Sequence, residues 1–207
     1  MTPAAIIPVD ALLLLDYVGI AVFAISGALL AAEKKQTLVT FIFFAVVTGV
    51  GGGTVRDLLI GAPVFWVHTN ATLLICIAAA IAVWFLSRKV IADKALLWFD
   101  AVGLAAFATY GAAKALNYGV APVPAFAMGV MTACVGGIIR DVLAGEPSIL
   151  MRPELYVTAA ALASGLFVAL SLFGAPPGLA ALVAGLAGFS LRGAAIARGL
   201  SLPAYDR

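Results

Sequence analysis

Charge is the scarcest property of this sequence: Asp, Glu, Lys and Arg make up 11% of its 207 residues and leave a net of +2. Soluble domains carry about 25% charged residues, so a water-facing surface cannot be assembled from this chain. The basic residues are scattered among short loops, which excludes the basic patch that nucleic-acid binding requires. Histidine occurs once, at His68, and cysteine twice, at Cys76 and Cys134, each inside an apolar run. Such sparse ligands exclude a His- or Cys-spaced metal centre and a Ser–His–Asp set. The two cysteines read as small buried hydrophobes, not as a disulfide. A nucleotide loop is missing as well, so no enzyme and no resident cofactor is expected. A basic n-region is also lacking ahead of the first apolar run, and MTPAAIIPVDALLLLDYVG reads as a retained span, not a cleaved signal peptide.

What the chain has in abundance is apolar sequence: 64% of its residues are hydrophobic, with a mean hydropathy of +1.16. Globular chains hold about 45–50%, so this is an all-α integral membrane protein. A spanning helix needs about 20 apolar residues. Seven stretches qualify: Ala11–Ala32, Thr37–Ile60, Thr72–Leu86, Leu96–Leu116, Pro122–Ala144, Leu155–Phe173 and Gly178–Ala197, the third being short. If they alternate, Lys34, Lys35, Arg88, Lys89, Lys94, Arg152, Arg192, Arg198 and Arg207 share one side, and the other receives only Lys114. Because cytoplasmic loops carry the excess of Lys and Arg, the N-terminus is expected outside and the C-terminus inside.

The chain also repeats itself. A shift of 84 residues lays Asp16-Tyr17-Val18-Gly19 over Asp100-Ala101-Val102-Gly103, and GGGTVRDLLIGAP over VGGIIRDVLAGEP. Thr48, Gly52, Gly53, Arg56, Asp57, Gly61 and Pro63 thereby meet Thr132, Gly136, Gly137, Arg140, Asp141, Gly145 and Pro147 without a gap. Each unit holds three spans, an odd number, so the two enter the membrane in opposite senses. The expected fold is one transmembrane domain of two inverted three-helix repeats, residues 11–87 and 95–173, with a seventh helix over 178–197. Inverted repeats of this kind characterise transport proteins, with a site at the repeat interface.

Several residues could carry that site. Gly51, Gly52 and Gly53, and Gly136 and Gly137, fall within the second helix of each unit. Glycine lowers helix propensity by about 1 kcal/mol relative to alanine, so broken helices lining a pore are expected; close packing is the alternative use of small residues. Thr48 and Thr132, one turn earlier, offer hydroxyls to an ion or bond back to their own helix. Intramembrane Arg56, Asp57, Arg140 and Asp141 are site candidates by default. Neighbours in sequence do not face each other on a helix, so cross-pairing between units is expected, with Arg56 toward the outside and Arg140 toward the cytoplasm. Asp16 and Asp100 start the first helix of each unit and read as caps, or as carboxylates at two pore mouths. Lys114, whose counterpart is Leu30, snorkels outward or gates a path from the fourth helix. His68 and the Phe65-Trp66 pair read as interfacial. Ala180, Ala184 and Gly188 form a small-residue stripe suited to packing within or between protomers.

GGGTVRDLLIGAPVFWV and GGIIRDVLAGEPSILMRPELY, with DYVGIAVFAISGALLAAEKK and DAVGLAAFATYGAAKALNYG, resemble the prokaryotic branch of the trimeric intracellular cation channels. The resemblance spans about Asp16 to Leu170. It implies a homotrimer in a prokaryotic plasma membrane, with one pore inside each protomer and monovalent cations, potassium foremost, as the permeating species. Membrane lipid is the remaining partner; no nucleic acid is implied. The animal members' basic Lys-Glu-Val motif in the fourth helix is replaced here by Ala113-Lys114-Ala115, a departure from the pattern for phosphoinositide regulation. Some bacterial relatives are labelled as probable glycine transporters, so a secondary transporter of glycine or another small solute is the alternative.

Overall fold

The computed structural model describes residues 9–86 and 94–203, with side chains from residue 14 onward. Ser87, Arg88, Lys89 and Arg207, which enter the repeat boundary and the charge asymmetry, lie outside the described residues. Seven α-helices follow in order: α1 (Val9–Glu33), α2 (Leu38–Leu59), α3 (Asn70–Phe85), α4 (Ala95–Asn117), α5 (Pro122–Leu143), α6 (Val157–Leu172) and α7 (Pro177–Arg198). A single 3-10 turn, Ile149–Met151, sits between α5 and α6. Five of the helices are long and apolar enough to cross a membrane, and α3 and α6 are apolar but shorter. At 16 residues each, α3 and α6 rise about 24 Å, less than the bilayer's hydrocarbon core of about 30 Å. The sequence suggested this only for α3. In α6 the helix starts at Val157 and not Leu155, because the preceding chain is held extended by an antiparallel bridge between Glu154 and Ser201.

Within the first unit α1 packs on α2 and α3; in the second, α4 packs on α5 and α6. Contacts of α1 with α4 and of α2 with α5 join the units, as expected of an inverted pair related by a two-fold axis. At the α1–α4 contact, the rings of Phe23 and Phe107 lie 5.1 Å apart. Each ring covers a glycine of the opposite unit, Phe107 on Gly19 and Phe23 on Gly103. Helix α7 packs on α6 and α4, helices of the second unit. Its small-residue stripe works within the protomer: Ala180 and Ala184 are fully buried, and a methyl group on Gly188 would fall 2.7 Å from Ala163 Cβ.

The glycines of α2 and α5 do not break their helices. Both run uninterrupted, Leu38–Leu59 and Pro122–Leu143, which corrects the expectation of broken segments. An unmade backbone hydrogen bond in lipid costs several kcal/mol, more than the roughly 1 kcal/mol by which glycine disfavours a helix. The glycines instead let α2 and α5 touch. A methyl group on Gly52 would collide with the Thr132 carbonyl, and one on Gly136 would lie 2.5 Å from the Thr48 carbonyl. Thr48 and Gly52 are four residues apart, as are Thr132 and Gly136, so each pair shares one helix face and the crossing is backbone against backbone.

Both helices then stop in the same way. Gly61 and Gly145 adopt φ of +66° and +70°, the left-handed conformation that glycine takes without steric cost. The Ala62 and Glu146 N–H groups donate back to the Asp57 and Asp141 carbonyls at 2.9 and 3.0 Å, closing Schellman turns. Pro63 and Pro147 follow and prevent continuation.

Candidate functional site

The Arg-Asp pairs at the ends of α2 and α5 build two charged stations, one toward each end of the bundle. At the first, Arg56 and Asp57 are fully buried. Arg56 Nε donates to Asp57 Oδ1 at 2.8 Å, and Nη2 lies 2.7 Å from the same oxygen. Lys114, from α4 of the other unit, donates to Asp57 Oδ2 at 3.0 Å and lies 2.9 Å from Oδ1. The Phe65 N–H also donates to Oδ2, at 3.1 Å. The Tyr110 ring sits 4.9 Å from the Arg56 guanidinium carbon, and the Phe65 ring stands 5.7 Å from Lys114 Nζ. Asp16, buried on α1, interacts with the Tyr110 hydroxyl and feels the charges of Arg56 and Lys114.

The second station repeats this plan with different bonding. Arg140 donates to Asp141 Oδ1 from Nε at 2.9 Å and from Nη2 at 2.8 Å. Its Nη1 donates to Asp100 Oδ1 at 2.7 Å and also to the Ser26 hydroxyl of α1. The Ile149 N–H donates to Asp141 Oδ2 at 3.1 Å, the counterpart of the Phe65 contact eight residues after Asp57. Ser26 and Tyr110 are equivalent positions, 84 residues apart. The small serine lets Arg140 reach both Asp100 and α1, whereas the tyrosine ring covers the Arg56 guanidinium and neither Nη atom of Arg56 gains a hydrogen bond from the described residues. Formally, Asp16, Asp57, Arg56 and Lys114 sum to zero. Asp100, Asp141 and Arg140 sum to −1.

A cavity of about 300 Å³ opens onto the second station, lined by Glu33, Arg140, Asp141, Glu146 and Arg152 among others. Lys34, just beyond α1, donates to Glu146, just beyond α5, and ties the two ends together at this cavity. The Lys34 ammonium holds the Glu146 carboxyl below its ordinary value of 4.5.

The charged residues singled out in the sequence gather at the two stations, but several of their contacts differ from expectation. Arg56 and Asp57, and Arg140 and Asp141, do pair with their own neighbours, against the expectation of cross-pairing alone. The long guanidinium folds back over the last helical turn, where the aspartate also reaches forward to the following loop. Cross-unit partners exist in addition, Lys114 for Asp57 and Ser26 for Arg140. Asp16 and Asp100 are not caps; they lie inside α1 and α4, 4% and 1% exposed. Lys114 turns inward to Asp57 and does not snorkel outward. Thr132 bonds back to the Met128 carbonyl at 2.6 Å, while the Thr48 hydroxyl has no hydrogen-bond partner among the described residues. Phe65 is not a belt residue: a methyl group on Gly53 would fall 2.6 Å from its ring. His68 is exposed. Arg192, counted among the cytoplasmic charges, is 1% exposed. Ser26, Tyr110 and Tyr156 were missed, although the first two occupy equivalent positions in the repeat register.

A family sequence model described as Glycine transporter matches residues 13–88 and again 97–171, so its two matches start 84 residues apart, the register of the repeat. Among curated relatives, a UPF0126 membrane protein of Vibrio cholerae is 42% identical over 204 residues, covering 94% of this chain and 82% of the relative. The UPF0126 inner membrane protein YadS of Escherichia coli K12 is 44% identical over 148 residues, 70% of this chain and 72% of its own. Among solved structures, the trimeric intracellular cation channel orthologue from Rhodobacter sphaeroides superposes with a TM-score of 0.86 at 44% identity, covering 92% of this chain and all of that one. The chain belongs to the trimeric intracellular cation channel family. A second family structure, a prokaryotic channel in 0.5 M KCl, superposes with a TM-score of 0.85 at 31% identity, over 93% of this chain and 99% of the other. The family fold, two inverted repeats and an added helix, is the fold described above, and the chain is a multi-pass membrane protein whose structural neighbours are cation channels.

Proposed function

We propose that this protein is a monovalent cation channel, potassium being the principal ion, with a pore through each protomer of a homotrimer. The observation that carries this reading is the pair of two-fold-related charged stations at opposite ends of the α1–α2–α4–α5 core, in a fold shared with cation channels. The pathway is assigned to the α2–α5 crossing, where Thr48, Gly51, Gly52, Gly53, Thr132, Gly136 and Gly137 bring the two helices into close contact and form a constriction that must part for an ion to pass. An array of carbonyls and hydroxyls can pass a dehydrated cation without binding it tightly. The net negative second station, with Asp100 and Asp141 around Arg140, draws cations into the cavity beside it. At the neutral first station, Lys114 on Asp57 acts as the gate: its release from Asp57 exposes a carboxylate to the permeating ion. The bundle sits in a prokaryotic plasma membrane with the N-terminus outside and the C-terminus inside, so the second station faces the cytoplasm. Lipid surrounds the trimer, and no cofactor takes part.

Planar-bilayer recording of the purified protein under a potassium gradient tests the proposal. Unitary steps reversing near the potassium potential are the expected result. The glycine-transporter description of the matching family model favours a second reading, uptake of glycine or a similar small solute. Saturable glycine uptake into proteoliposomes without current steps would establish that reading in place of the channel.

A further inference from the structure

Helix α7 lies outside the repeat and has no counterpart in the first unit. Its buried Arg192 has its guanidinium carbon 5.2 Å from the centre of the Tyr156 ring, and its Nη2 donates to Glu154 Oε2 at 2.7 Å. Glu154 is in turn bridged to Ser201, and the Leu202 N–H donates to the Pro153 carbonyl at 2.7 Å. Tyr156 is thus gripped at the start of α6 by α7 and by the chain that follows it.

The tyrosine hydroxyl points at the second station. It is fully buried and interacts with the Asp100 side chain, whose Oδ2 accepts no well-formed hydrogen bond from the described residues. Three polar groups converge on the open face of Gly137. A methyl group there would lie 2.9 Å from Tyr156 Oη, 3.5 Å from Asp100 Oδ1 and 3.8 Å from Arg140 Nη2. The equivalent face of Gly53 is covered by the apolar Phe65 ring, and the position equivalent to Tyr156 is Thr72. A buried polar group whose hydrogen bond is poorly made costs up to about 1–3 kcal/mol, so the placing of this hydroxyl matters. The Arg192 guanidinium over the Tyr156 ring bears on where that hydroxyl sits.

We propose that Arg192 is a positioning residue for the ion pathway, holding the Tyr156 hydroxyl against Asp100 at Gly137, so that the seventh helix sets the occupancy of the second station. The Tyr156 hydroxyl restrains the Asp100 carboxylate, and loosening it releases that carboxylate to cations. This rests on the channel reading, and its test has one arm that does not.

In bilayers, Tyr156→Phe and Arg192→Gln each raise the mean potassium current at fixed voltage by at least about two-fold, the lower limit of coupling for residues in contact. The double variant adds nothing to Tyr156→Phe, and Arg192→Lys restores part of the wild-type behaviour by keeping the cation over the ring. Independently of conduction, protein labelled with 3-fluorotyrosine reports the Tyr156 environment, its fluorine resonance being assigned by loss in Tyr156→Phe. Arg192→Gln shifts that resonance, whereas Arg198→Gln, at the exposed end of α7, does not. An unshifted resonance in Arg192→Gln overturns the positioning role, as does a current change of equal size in the Tyr156→Phe background. If the wild type passes no cations while the resonance still shifts, the channel reading falls and the clamp of Arg192 on Tyr156 stands.

Discussion

Asp57 balances two cations, Arg56 and Lys114, while at the other end two carboxylates, Asp100 and Asp141, share Arg140. Removing one member of a buried pair costs about 3–5 kcal/mol, because the partner is left as an uncompensated charge. Asp57→Asn strips both cations of their direct partner and is expected to cost that full amount, measured by thermal unfolding in detergent. Asp141→Asn leaves Arg140 bonded to Asp100 and is expected to cost distinctly less. Equal losses would mean that the two stations are energetically alike despite their different bonding. Tyr110 and Ser26 explain how the stations came to differ. Their identities stood in the repeat register, but the consequence of a ring in place of a hydroxyl depends on which guanidinium it faces. That is a tertiary fact.

At the scale of the element, only Gly52 of the three consecutive glycines in α2 lies where the α5 backbone touches. Gly52 faces the Thr132 carbonyl, whereas a methyl group on Gly51 would meet the end of the Ile139 side chain at 3.2 Å and the Gly136 Cα at an ordinary 3.7 Å. Gly52→Ala is therefore expected to destabilise by about 1–3 kcal/mol through overpacking. Gly51→Ala leaves stability unchanged or raises it by up to about 1 kcal/mol through helix propensity. Chemical denaturation of the two variants side by side decides between packing and unwinding, since helix breakage would make both substitutions alike. The tie between the ends of α1 and α5 gives a pH dependence. The Glu146 carboxyl is held below 4.5 by Lys34, so its contribution to stability is complete above that value and lost as pH falls through its lower folded value. The stability difference between wild type and Glu146→Gln should then be constant at neutral pH and vanish in acid.

For the whole molecule, inverted repeats place α2 and α5 ends on opposite sides, so that one orientation fixes which station meets the cytoplasm. Cys76 and Cys134 are buried, and Tyr118 and Gln36 are exposed in loops on opposite sides. A membrane-impermeant maleimide is expected to label Tyr118→Cys in intact cells and Gln36→Cys only after permeabilisation. The reverse pattern would put the second station outside and remove the cytoplasmic reading of its cavity. The sequence by itself determined the membrane location, the seven helices to within a few residues, and the inverted repeat. These follow from apolar run length and from an 84-residue register, both properties of the linear chain. It also singled out the Arg-Asp pairs, because a charge inside an apolar run is conspicuous without coordinates. Only the tertiary structure decided how those charges are partnered, that the glycines join helices instead of breaking them, and that Arg192 is buried on Tyr156. Helix contacts depend on which faces meet across the two-fold axis, and α7 has no counterpart in the repeat from which its role could be read.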